Sequence, residues 1–341
     1  MGVMELAFEL PKELEAAQPP EARGIPRDGV RMLVTDRATG ASEHHLFLDL
    51  PALLQPGDLL VVNDSATLPA ALEARRSDGS TVALHLSSRV ANTLWVAEPR
   101  GPARDGERLA LPAGGSVTLV ARVDPAIDRL WYARVDVPEP IVEYLQLYGA
   151  PIRYSYLEGS YPIAVYQTIF ARTAGSAEMP SAGRPFTRRT LEALRVRGVD
   201  LASATLHAGV SSPEAHEPPQ PEPFVVPHAT AASVNAARDA GRRVVAVGTT
   251  VVRALESAVI GDRVAATNGW TDLVVTRERG VHAVDGILTG FHEPRASHLQ
   301  MLSAFAAPDT IERAYRTALD GEYLWHEFGD VHLIATRLAV R

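Results

Sequence analysis

The 341-residue chain contains no cysteine. That single absence excludes disulfides, thiolate zinc sites, iron–sulfur clusters and cysteine nucleophiles together. Of its 33 basic residues only Lys12 is a lysine, so no Walker A loop exists. No two of the 25 glycines stand in a G-x-G arrangement, which removes the dinucleotide-binding fingerprint. No H-E-x-x-H occurs and no metal site is expected; His292 and His298 stand six apart, and a structural role for the pair outweighs a metal. No uncharged apolar run approaches the ~20 residues of a membrane helix. The first ten residues carry Glu5 and Glu9 and no basic residue, unlike a secretory signal. The expectation is a cytoplasmic protein without a membrane partner.

What is present is ordinary globular composition: 46% hydrophobic and 22% charged residues in 36.7 kDa, enough for one large domain or two smaller ones. The scarcity of lysine and of asparagine (Asn63, Asn92, Asn235, Asn268) reads first as GC-rich coding bias. A net charge of −8 argues against non-specific coating of nucleic acid but leaves room for a local basic face. The segment from Ser181 to Asp200 supplies one, with Arg184, Arg188, Arg189, Arg195 and Arg197 against Glu192 and Asp200.

Strand signals open the chain at Arg31–Thr39, Glu43–Leu50 and Asp58–Asn63. From Ser65 to Pro138, short β-rich runs alternate with Gly, Pro and Asp clusters, the texture of a small barrel or sandwich. Past Pro140, helices and strands alternate. Helices are predicted at Ile141–Tyr148, Thr187–Arg197, His228–Ala240, Thr250–Ile260, Ser297–Ala306 and Asp309–Leu319; strands at Val199–His207, Arg243–Val247, Thr271–Thr276, Val281–Phe291 and Val331–Thr336. The expected fold is α/β: a mostly parallel, barrel-like main domain (1–64 plus 139–341) with an inserted all-β barrel (65–138). The proline-rich stretch Ser211–Pro227 reads as an extended loop.

The strongest local motif is VVAVGTTVVRALES (Val244–Ser257). A buried strand ends at Gly248, and Thr249 and Thr250 open a helix carrying Arg253 and Glu256. The free N–H groups and dipole there suit a phosphate or carboxylate, although simple capping of a packing helix fits the same spacing. The turn PSAGR (Pro180–Arg184) carries the same two readings. His207, in TLHAG, ends a predicted strand at the edge where open α/β sheets bind ligands; His292 stands in GFHEPR. A satisfied structural histidine is as good a reading of either.

Taken together, the segments FELPKELEAAQPPEAR, LFLDLPALLQPGDLLVVNDS, YQTIFAR, PSAGRPFT, RGVDLASATLHAG, VVAVGTTVVRALES, DGILTGFHEPRASHLQMLSAFA and FGDVHLI resemble, in order and spacing, the S-adenosylmethionine:tRNA ribosyltransferase-isomerase family of queuosine biosynthesis. The likeness runs nearly end to end. It implies an α/β domain with an inserted small β-barrel. It also implies S-adenosylmethionine as co-substrate rather than cofactor, with its ribosyl part moved to the aminomethyl group of a 7-deazaguanine in the tRNA anticodon loop. There the ribosyl part is rearranged to an epoxycyclopentanediol as adenine and methionine leave. A monomer is implied as well. The sulfonium acidifies the ribose 5′ carbon, so a positioned base starts the reaction. His207 is the first candidate, with Glu256 or His292 behind it. Gly248, Thr249, Thr250 and Arg253 are expected to hold an anionic group; Tyr166 and Phe186 to stack a base; Asn63, Asp64, Ser181, Gly183 and Arg184 to contribute to substrate binding.

Three motifs depart from the family pattern. Arg184-Pro185 replace Leu-His, Ala66 replaces an arginine, and the loop after His207 is shortened, keeping only Glu214, His216 and Glu217 of an acid- and histidine-rich run. Two further readings therefore stand beside the family activity: a paralogue using S-adenosylmethionine or a related nucleoside with a non-tRNA acceptor, and a non-catalytic nucleoside- or RNA-binding descendant.

Overall fold

The computed structural model describes residues 8–211, 219–294 and 296–336. The chain opens with β1 (Arg31–Asp36), β2 (Ser42–Leu46), the short helix α1 (Leu50–Leu53) and β3 (Leu59–Asn63). It then leaves the main sheet through β4 (Ser65–Thr67) and builds β5 (Ala71–Arg75), β6 (Thr81–Arg89), β7 (Leu94–Pro99), β8 (Arg108–Ala110), β9 (Ser116–Arg122) and β10 (Trp131–Asp136). These six close a barrel in the order β10-β7-β6-β5-β8-β9. Alternating residues such as Leu84 and Leu86, Val117 and Leu119, Trp131 and Ala133 fill it. After α2 (Ile141–Tyr148) the chain returns along β11 (Thr173–Ser176), which pairs parallel with β4 and draws the two connections into one neck.

The remaining elements are α3 (Arg188–Arg197), β12 (Asp200–Leu206), β13 (Glu222–Val226), α4 (His228–Asp239), β14 (Val244–Val247), α5 (Thr249–Ser257), the β15–β16 hairpin (Val259–Ile260 and Arg263–Val264), β17 (Thr267–Thr271), β18 (Gly286–Gly290), α6 (Ser297–Leu302), α7 (Pro308–Asp320) and β19 (Val331–Ala335). Helix α3 is closed as its sequence predicts: Thr187 caps its start by accepting from the Thr190 N–H, and Gly198 ends it in the left-handed region.

Among the described residues, nine strands form one sheet in the order β17-β13-β12-β3-β14-β18-β19-β1-β2. The covered sheet and inserted barrel agree with expectation, but the main sheet is mixed. Its centre, β12-β3-β14-β18, is parallel, as is β19-β1, whereas β18-β19, β1-β2, β12-β13 and β13-β17 are antiparallel. It ends on β17 and β2 rather than closing into a second barrel. Residues 222–226, expected in an extended loop, pair as β13 between β12 and β17, so the extended proline-rich backbone is used as a strand. A strand expected at Thr271–Thr276 lies instead at β17, Thr267–Thr271.

Strand periodicity explains how the sheet is covered twice. In β3, Leu59 and Val61 join the cluster formed with α4, α5 and α7, while Leu60 and Val62 join Leu50, Leu53, Phe186 and Leu194 on the opposite face. The near-continuous apolar runs at β3 and β14 are thus buried on both sides. The C-terminal ends of the parallel strands β12, β3, β14 and β18 all point one way, and the loops leaving them converge on one cleft.

Candidate active site

That cleft has a volume of about 400 Å³, within the usual range for a small-molecule site. One wall is the start of α5. Strand β14 runs into Gly248, which has φ 95° and ψ 155°, and Thr249 and Thr250 follow on the cleft surface. The unpaired N–H groups of this first turn and the positive end of its dipole face the cavity. Asn63 holds the turn in register from behind. Its Nδ2 donates to the Leu206 carbonyl at 2.8 Å and to Thr250 Oγ1 at 3.2 Å, and its Oδ1 accepts from the Ser65 and Leu206 amides. Asn63 is therefore buried behind the cleft rather than exposed in it. Asp64 likewise accepts from Ser203 and Thr205 hydroxyls at the end of β12.

A second wall carries two imidazoles. His292 and His298 stack with centroids 4.3 Å apart and planes 6° from parallel. His292 is anchored by a 2.9 Å bond between Nε2 and Thr289 Oγ1, while its carbonyl accepts from the Trp325 indole. Among the described residues, no protein group bonds its Nδ1. Burial, followed by the neighbouring charges of His298, His326 and His332, pushes His292 well below the ordinary histidine range; burial, followed by Arg253, brings His298 to about 4. Both rings are neutral near pH 7, the form in which an imidazole accepts a proton.

Tyr154, Tyr156, Tyr166 and His326 form a third, aromatic wall, with Glu178, Glu222 and Glu327 among them. Glu222 pairs with Arg253 and accepts the Gly209 amide at 2.8 Å. Ser181 lies on the lip.

Several residues expected at the site are placed elsewhere. His207 does not line the cleft. Its Nδ1 lies 2.7 Å from Ser65 Oγ, which in turn meets Ser176 Oγ at 2.6 Å, and the ring packs on Gly175, where a Cβ would come within 2.5 Å of it. The strand that ends at Leu206 turns this side chain toward the β4–β11 neck. Glu256 sits on the far side of α5, buried, and accepts from Arg279 Nη1 at 2.6 Å and from the His282 and Ala283 amides at 2.7 Å. Both of its carboxylate oxygens are thus engaged in the core. Arg253 reaches the cleft, but its guanidinium donates to Glu222 and to the carbonyls of Leu273, Gln220 and Thr271, so it is a tie between α5 and the edge strands rather than an open anion clamp.

Phe186 is buried edge-on between Phe47 and Phe170, with centroids 4.9 and 5.1 Å away, so no nucleobase reaches it. Gly183 packs against Phe170 and Thr168. Arg184 lies behind the lip, donating to Glu21 Oε2 at 2.9 Å and to the Val165 carbonyl, with its guanidinium 4.8 Å from the Phe328 ring centroid. Glu214, His216 and Glu217 lie outside the described residues. Tyr154, Tyr156, Glu178, His326 and Glu327 are not legible in the sequence because they stand in loops without a periodic signal, and Glu222 is not because it opens β13, whose residues read as a proline-rich loop; only the 292/298 spacing hints at the imidazole pair.

An α/β sheet with an inserted six-stranded barrel, and a ligand-sized cleft where a helix N-terminus, paired imidazoles and buried carboxyls meet, defines the class: an α/β protein with a small-molecule site at its strand ends. The family is sharper than the class. The chain belongs to the queuosine biosynthesis protein family, whose model matches residues 3–334. It is 38% identical to the S-adenosylmethionine:tRNA ribosyltransferase-isomerase of Symbiobacterium thermophilum, over 98% of this chain and 100% of that protein. The Thermus thermophilus protein of the same name is also 38% identical, over 98% of this chain and 99% of its own length. A crystal structure of S-adenosylmethionine tRNA ribosyltransferase from Thermotoga maritima matches with a TM-score of 0.56 at 30% identity, covering 96% of this chain and 99% of that one. Among the described residues, no helix is long and apolar enough to cross a membrane, and no group of three His, Cys, Asp or Glu is placed to hold a metal.

Proposed function

We propose that this protein transfers and isomerises the ribosyl part of S-adenosylmethionine onto 7-aminomethyl-7-deazaguanine in tRNA, giving epoxyqueuosine with release of adenine and methionine. The observation that carries the reading is the cleft itself, joined to family membership along nearly the whole chain. It combines an anion-binding helix start, a neutral imidazole with a free nitrogen, and aromatic walls in one cavity. The methionine carboxylate of the donor lies on the first turn of α5, at Gly248, Thr249 and Thr250. The sulfonium makes the 5′ hydrogens acidic, and His292 takes one of them on Nδ1, leaving the carbanion stabilised beside the sulfur. His292 is favoured over His207 because it lines the cleft and its Nδ1 is open. Arg253 and Asn63 position the donor site without touching the reacting atoms, and Ser181 and Tyr166 flank it. The barrel, residues 65–138, acts as a unit inserted into the discontinuous domain of 1–64 and 139–341. The enzyme works as a monomer in the cytoplasm, on the anticodon loop of tRNA.

The test is incubation with S-adenosylmethionine and tRNA bearing the aminomethyl-deazaguanine. Adenine is expected only when both are present. Adenine release from the donor alone, or none with both, overturns the reading.

A further inference from the structure

Two carboxyls at the aromatic wall of the cleft are held differently from the other enclosed carboxylates of the protein. Glu178 and Glu327 are half-buried carboxyls on the cleft wall whose hydrogen-bond donors, among the described residues, are all neutral. Glu178 accepts from the Ser211 amide at 2.6 Å, the Ser211 hydroxyl and the Tyr154 hydroxyl; Glu327 accepts from the Tyr156 hydroxyl. Other enclosed carboxylates meet an arginine: Glu222 in the same cleft meets Arg253, and Asp58 and Glu256 elsewhere meet Arg243 and Arg279. Leaving a buried carboxylate without a cation is costly, so a carboxyl of this kind either keeps its proton or awaits a positive ligand. Burial, together with repulsion from Glu327 and Glu222, pushes Glu178 up to about 8, and burial also raises Glu327. Arg184 acts on Glu327 only through space.

The same two tyrosines that bind these carboxyls are stacked. Tyr154 and Tyr156 lie 5.9 Å apart at 12°, and Tyr156 lies 4.1 Å from His326 at 13°. A run of near-parallel rings on a cavity wall is a platform for another planar ring. His298 also lines the cavity; among the described residues it makes no hydrogen bond, and its ring stacks on His292.

We propose that the tyrosine-walled part of the cleft is the acceptor subsite: it takes a planar heterocycle carrying a protonated amine, stacks the ring on Tyr154 and Tyr156, and receives the ammonium on Glu178 and Glu327. This rests on the functional reading above and assigns the acceptor's place within it. The amine's proton passes to the carboxylate oxygen it is bonded to. That leaves the nitrogen neutral, with a free lone pair.

The test compares 7-aminomethyl-7-deazaguanine with its 7-methyl analogue by calorimetry, each as the free base and each within tRNA. Wild-type protein is expected to prefer the amine by tenfold or more in at least one arm, and the arm identifies whether a free base or a polynucleotide is the source. Glu178→Gln and Glu327→Gln, nearly isosteric, are expected to reduce that preference at least fivefold, with S-adenosylmethionine affinity unchanged within twofold. Equal binding of amine and methyl analogue in both arms overturns the subsite, and this outcome needs no variant. Retained preference in both variants, with adenine release intact in the wild type, overturns it while leaving the activity standing. Loss of adenine release in the wild type strikes the functional reading instead.

Discussion

At the scale of single residues, position relative to the cleft decides what each histidine does. His292 offers Nδ1 to the cavity, whereas His207 is hydrogen-bonded to Ser65 at the neck. His292→Gln is therefore expected to lower single-turnover adenine release by about 10²–10⁴-fold, the usual worth of a general base, and His207→Gln by less than tenfold. The reverse order would return the base to His207. Arg253 supports a second expectation. Replacing it with leucine strips Glu222 of its charge partner in a buried site, which costs on the order of 3–5 kcal/mol. Urea denaturation measures this, and Glu222→Gln in the same protein is expected to restore much of it. A raised donor KM at unchanged stability would instead make the guanidinium a ligand group.

At the scale of elements, the turn between β14 and α5 shapes the donor end of the cleft. Gly248 has φ 95°, where side chains bring strain, while a Cβ there would meet Ala182 and Thr250 only at 3.5 Å. The penalty of Gly248→Ala is thus conformational rather than steric, on the order of 1–3 kcal/mol. It is expected to appear as a lower Tm together with a higher KM for S-adenosylmethionine, since the first-turn amides shift with it. This element was legible in the sequence because a buried apolar run, a glycine and two threonines stand in the order that strand, turn and helix require. Helices α2, α3, α4 and α7 were legible for the same reason: local periodicity and caps dictate them. Strand β13 was not, because Pro223 removes a ladder donor and its pairing depends on β12 and β17, which are remote in sequence. Phe186 and Glu256 were misread because a chemically apt side chain near a motif looks functional until its far-side partners are seen.

At the scale of the whole molecule, buried titratable groups set a pH window for stability. His298 and His332 lie at about 4 and 3, against 6.5 when exposed. Between those values the unfolded chain holds protons that the folded chain does not, so their contribution is full above pH 6.5 and is lost as pH falls. Glu178 has the opposite sign: raised from 4.5 to about 8, it contributes below pH 4.5 and loses that contribution as pH rises to 8. Between about pH 4.5 and 6.5 two histidines oppose one carboxyl, so the net contribution of these groups rises with pH to a maximum near pH 6.5 and falls on both sides of it. Urea midpoints across pH 4–9 measure this, and Glu178→Gln is expected to flatten the alkaline flank. A flank unchanged by that substitution would contradict the burial of the carboxyl. None of these shifts could be read from composition, because they arise where loops from distant parts of the chain enclose one cavity.

The pairing of β1 with β19 has a consequence for how the molecule is made. Met32 lies beside Val331, so β1 gains its inner neighbour only after every strand between them in the chain has been synthesised. The barrel, with all six strands between Ala71 and Asp136, can close long before that. During translation the nascent chain therefore carries a finished barrel and an open sheet edge at the same time, and among the described strands β2 alone pairs with β1 until β19 is made. Loss of the segment carrying β19 would leave that edge permanently exposed, making late termination errors a route to aggregation rather than to a shortened enzyme.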